Sequence, residues 1–138
     1  MVGLLVAVGT LLLATAIGFA LRARDGRVKE KAVDQAVPEE VRALLDPDAA
    51  VTLVQLSTTF CAPCRQARVL LADLAGRTGG LAHTDLDLTS QPRLAERLSV
   101  LRTPTTLAVD SRGVELLRVS GVPKRAELLA ALAPHLPA

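Results

Sequence analysis

Val51-Thr52-Leu53-Val54-Gln55-Leu56 leads through Ser57-Thr58-Thr59 into Phe60-Cys61-Ala62-Pro63-Cys64, and from there into a stretch where Ala67, Leu70, Leu71 and Leu74 recur at steps of three and four. The first run is short, apolar and rich in β-branched residues, which suits a strand buried on both faces. The second pattern is the period of an amphipathic helix, expected over Cys61 to about Ala75 and ended by Gly76 and Gly79-Gly80. Two cysteines thus fall where a buried strand hands over to a helix.

Downstream, a second strand is expected over Leu81 to Leu88 and a short helix over Gln91 to Leu98, with Ser90 as its N-cap. Thr105–Val109 and Val114–Ser120 read as strands joined by Asp110-Ser111-Arg112-Gly113, a hairpin turn. An amphipathic helix from Lys124 to about His135 follows Pro123. The order β-α-β-α-β-β-α places parallel pairing first and a hairpin last, an α/β arrangement with a central mixed sheet flanked by helices.

Composition narrows the function classes. The chain has 138 residues, half of them hydrophobic, with two Phe, no Trp or Tyr, and a net charge of +2. Scattered basic groups and missing aromatic platforms argue against nucleic-acid binding. The two cysteines enclose too small a loop to staple a fold. A structural zinc site takes four ligands, and His83 and His135 lie too far apart in sequence to complete one, so no metal is expected. No cofactor is expected beyond the cysteine pair itself.

The pair reads as redox chemistry. The thiolate is the attacking species in disulfide exchange, and an ordinary thiol titrates near about 8.5. Cys61 at a helix N-terminus faces unpaired amides and the positive end of the helix dipole, both of which favour the anion. Pro63 falls in the first turn, where proline is tolerated, and Arg65 adds a cation. Cys64, three residues on, lies on the same helical face one turn deeper, placed to attack a mixed disulfide at Cys61. A second signal is Arg102-Thr103-Pro104-Thr105 before a strand. A cis bond at Pro104 would bring the Thr103 backbone up to the cysteines, whereas an ordinary trans proline would simply open the strand.

Phe60-Cys61-Ala62-Pro63-Cys64, Thr103-Pro104-Thr105 and Gly121 together resemble the thioredoxin family in content, order and spacing, over roughly Ala49 to Leu136. The resemblance implies a thioredoxin fold, with Cys61 as nucleophile, Cys64 as resolving thiol and Pro104 as a cis-proline facing them. Phe60, Ala62, Pro63 and Thr103 would shape the site. The implied partners are protein thiol or disulfide substrates and an electron donor or acceptor protein. Departures point to a dedicated partner: Phe60 and Ala62 stand where general reductases commonly carry Trp and Gly. Gln55, which cannot ionise, occupies the position of a buried proton-accepting aspartate. His83 is expected to be a strand histidine without a role. Asp85 and Asp87 are expected to be solvent-facing residues of a strand end.

Val2 to Leu21 carries no charged side chain and is long enough to span a bilayer as a helix. The alternatives are a cleaved signal, for which Ala14-Thr15-Ala16 fits the cleavage pattern, and a core helix, which would show a polar face. The expected organisation is an anchor at 1–21, a polar tether with a short helix at 22–48, and the folded domain at 49–138. Arg22, Arg24, Arg27, Lys29 and Lys31 bias that flank to the cytoplasm, though Asp25, Glu30 and Asp34 dilute them. The leading reading is a membrane-tethered thiol–disulfide oxidoreductase. The alternatives are a redox-inert docking module and a disulfide-handling maturation factor on the outer face.

Overall fold

A computed structural model of the chain describes residues 1–30 and 35–137. Helix α1 (Val2–Arg24) is followed by β1 (Val28–Glu30), α2 (Glu39–Arg42), β2 (Val51–Ser57) and α3 (Ala62–Arg77). Then come β3 (Leu81–Asp87), α4 (Pro92–Arg97), β4 (Thr105–Asp110), β5 (Glu115–Ser120) and α5 (Arg125–Leu132). The five strands form one mixed sheet in the order β1-β5-β4-β2-β3, with β2 and β3 parallel and the other neighbours antiparallel.

Every residue of β2 is buried, as its apolar run requires. Its alternating side chains divide the core in two. Val51 and Leu53 pack with Leu71 and Leu74 of α3 and Leu128 and Leu132 of α5 on one face. Val54 and Leu56 pack with Val41, Leu94 and Leu98 on the other. The expected hairpin forms, with Gly113 at φ +84° and the Asp110 carboxylate accepting from the amides of Arg112 and Val114, each at 2.9 Å.

Three local readings differ from the structure. The N-cap of α4 is Gln91 rather than Ser90 and makes no side-chain cap bond. Pro92 takes the first helical position, where its missing amide costs nothing, and so moves the start one residue on. The last helix ends at Leu132 and tightens into a 3₁₀ turn over Ala133–His135, because Pro134 has no N–H to continue it. The stretch read as tether also meets the sheet. Val28 pairs with Val119 in the β1–β5 ladder, Ala36 bridges Val114, and Val37 and Val41 are buried in the core. Lys31 and Asp34, counted in the basic flank, lie outside the described residues.

Helix α1 buries none of its residues and is long and apolar enough to cross a membrane. It joins the domain through Gly26, whose amide donates to the Ser120 carbonyl at 2.8 Å. Gly26 sits at φ +71°, and a Cβ there would lie 2.3 Å from the Val122 carbonyl oxygen. Gly26→Ala is therefore expected to detach β1 while leaving the core intact. Hydrogen exchange should quicken at Val28–Glu30 and stay unchanged over β2 and β4; uniform exchange across the sheet would contradict this.

Candidate functional site

Phe60 has φ +61°, a left-handed conformation that is costly for a bulky residue, and its ring is fully exposed. This reversal turns the chain out of the loop after β2 and places Cys61 as the N-cap of α3. The Cys64 amide, one of the helix's unpaired donors, points at Cys61 Sγ from 3.2 Å. Ala62 and Pro63 complete the first turn, both exposed.

Cys61 and Cys64 are joined in a disulfide, with their Cα atoms 5.2 Å apart. Cys61 is half-buried at the edge of a groove of about 700 Å³ that Thr58, Phe60 and Arg65 also line. Cys64 is 1% exposed. The Thr103–Pro104 bond is cis, and Thr103 Oγ1 lies 3.7 Å from Cys61 Sγ and 3.2 Å from Thr58 Oγ1. Phe60, Ala62 and Pro63 thus flank the disulfide-bonded Cys61 and Cys64 in the chain, and the loop bearing Thr103 and the cis-proline Pro104 comes up to Cys61 through the Thr103 hydroxyl. Gly121 lies behind the same loop, its amide donating to the Pro104 carbonyl at 2.7 Å.

Two features behind the sulfurs are missing from the sequence reading. Gln55 is completely buried; its Nε2 donates to the Cys64 carbonyl at 2.7 Å, and its Oε1 meets His83 Nε2 at 3.1 Å. With the amide oriented this way, Oε1 is the acceptor, so the His83 proton is assigned to Nε2. A polar line therefore runs from β3 through β2 to the backbone of the deeper cysteine. The Thr106 hydroxyl, opposite Gln55 in the β2–β4 register, is buried with no hydrogen-bond partner among the described residues. Asp85 is not a solvent-facing carboxylate. It accepts from Ser57 Oγ and from Arg68 Nε, the latter at 2.7 Å, at the rim of the groove. Asp87 instead closes a turn onto the Thr89 amide at 2.8 Å. Alternate spacing on β3 could have suggested that His83 and Asp85 share the α3 face, but their partners are distant in sequence. Among the described residues, no three His, Cys, Asp or Glu side chains gather as a metal site.

No family model matches the chain. A thioredoxin of Staphylococcus saprophyticus is 32% identical over 89 residues, covering 64% of this chain and 85% of that protein. A thioredoxin of Staphylococcus epidermidis is 32% identical over 90 residues, covering 64% and 86%. Among solved structures, a mutant thioredoxin from Halobacterium salinarum superposes with a TM-score of 0.62 at 20% identity, covering 75% of this chain and 88% of that one. Fasciola hepatica thioredoxin gives 0.58 at 22% identity, covering 72% and 95%.

Burial pushes the His83 imidazole below its ordinary value; Asp85 opposes the shift and Arg68 adds to it. The unfolded chain therefore takes up a proton below about pH 6.5 that the folded chain does not. Stability from this group is full above that pH and declines as pH falls toward the folded pKa. Urea unfolding of the oxidised protein should show a drop in midpoint between about pH 7.5 and 5.5 that is smaller in His83→Gln. Equal drops would remove His83 from the account.

Proposed function

The chain belongs to the thioredoxin family and is a thiol–disulfide oxidoreductase, and from that premise we propose that it is a membrane-tethered reductase of protein disulfides working through Cys61 and Cys64. The observation that carries this reading is the asymmetry of the pair: one sulfur at the edge of an open groove, the other sealed beneath it.

In the working cycle the Cys61 thiolate attacks a substrate disulfide, forming a mixed disulfide and releasing one substrate thiolate. The Cys64 thiolate then attacks Cys61 Sγ. The Cys61–Cys64 disulfide forms, and the second substrate sulfur leaves as a thiolate and takes a proton. Two electrons have moved to the substrate, and a donor protein returns them by the reverse exchange. The couple needs no other cofactor. Within this cycle the Cys64 amide stabilises the Cys61 anion, as the N-cap geometry supports. Thr103 holds its hydroxyl toward the same sulfur. An extended substrate segment lies along the Thr103 backbone beside the exposed ring of Phe60.

Val2–Leu21 is the anchor in this reading, and the basic residues after it support a domain on the cytoplasmic face, where thiols are kept reduced. The partners are protein disulfides and a dithiol donor.

Full-length protein in detergent, titrated across thiol/disulfide buffers with alkylation of free thiols, should show a reversible two-electron couple near about −270 mV. A midpoint near about −120 mV would make the protein an oxidant instead. Cys64→Ala should accumulate mixed disulfides through Cys61, and Cys61→Ser should form none. Failure of the wild type to form a reversible disulfide would leave only a docking role.

A further inference from the structure

A second cleft, also of about 700 Å³, lies where α1 meets the sheet. Arg24, Arg27, Lys29, Arg102 and Arg118 line it together with the hydroxyl residues Ser99, Thr105 and Ser120. Two of the five cations are already engaged. Arg118 is held bidentate by the buried Glu115 and donates to the Leu98 carbonyl at 2.6 Å. Arg102 pairs with Asp25. Arg24, Arg27 and Lys29 are exposed and make no ion pair among the described residues. The cleft therefore keeps an excess of positive charge beside hydroxyl side chains, a setting for an anion with several acceptor oxygens.

Its depth identifies the anion. Arg24 follows Leu21 by three residues, about 4.5 Å along the helix axis, so this wall lies at headgroup level when Val2–Leu21 fills the hydrocarbon core. The join at Gly26 and the β1–β5 ladder hold the rest of the cleft at that level. At the rim, Leu101 is 97% exposed, an apolar side chain suited to the acyl boundary beside a charged headgroup.

We propose that this cleft binds the phosphate headgroup of an anionic phospholipid and thereby seats the redox domain on the membrane surface. The proposal rests on the reading of Val2–Leu21 as an anchor, so its test separates the two. Full-length protein is first floated with pure phosphatidylcholine liposomes and washed with carbonate. Retention supports the anchor independently of headgroup charge, whereas extraction overturns both the anchor and the seat built on it.

Retained protein is then transferred to detergent with equimolar phosphatidylglycerol and phosphatidylcholine, and bound lipid is counted by native mass spectrometry. The wild type should hold phosphatidylglycerol in about tenfold preference, and Arg27→Ala/Lys29→Ala should fall to near parity. Arg77→Ala/Arg112→Ala, which removes the same charge elsewhere, should keep the preference. An unchanged redox midpoint in the cleft variant shows that it has folded; should the double variant not fold, the single variants must each show a partial loss. No preference in the wild type, or equal loss in both double variants, overturns the proposal. Displacement of the lipid by millimolar inorganic phosphate makes the cleft a free-anion site and overturns the lipid assignment.

Discussion

Cys61 stands at the point of α3 where a side chain faces solvent and still belongs to the helix's hydrogen-bond system. The first turn of a helix carries amides with no partner inside it, and Cys61 Sγ receives the one from Cys64. That placement depends on where β2 stops. The strand is buried along its whole length, and a slip of one residue would exchange its two faces. Val54 would then face α3, and Gln55 would enter the cluster around Val41 and Leu94. The apolar register of β2 thus decides which atom meets the Cys64 carbonyl.

The atom it selects is an amide, and its burial makes demands. A buried polar group without a partner costs about 1–3 kcal/mol, so Gln55 needs both the Cys64 carbonyl and His83. One end of this line steadies the backbone of the first turn; the other reaches a titratable ring flanked by Asp85 and Arg68. Along this line the nearest group to Cys64 is one that does not ionise, so the proton lost on resolution has no carboxylate waiting there. The same arrangement ties the first turn of α3 to a side chain of β3, through the Cys64 carbonyl, Gln55 and His83.

Much of this was legible because the signals were local. The run Val51–Leu56, the helical period after it and the punctuation at Asp110–Gly113 each arise within one element, and each element formed. The motif around Cys61 and the proline at 104 carried the site for the same reason. What escaped depends on contacts made only after folding. His83 and Gln55 are 28 residues apart and meet through side chains on adjacent parallel strands. Val28-Lys29-Glu30 is too short and too charged to read as a strand. It becomes one through backbone pairing with an exposed edge, for which side-chain pattern matters little. Asp85 and Asp87 look equivalent in sequence, yet one meets a guanidinium and the other a turn amide.

That short edge strand changes what the N-terminal helix does to the domain. The helix meets the sheet at Gly26, before residue 31, so no long tether separates α1 from the fold. The join does not depend chiefly on charge: Asp25 and Arg102 are both half-exposed, and a pair of that kind contributes at most about 1 kcal/mol. Backbone pairing and the close approach of Gly26 to Val122 carry it. Arg102 is also the residue before Thr103, whose hydroxyl faces Cys61. The end of the helix and the rim of the redox groove are therefore built on one loop.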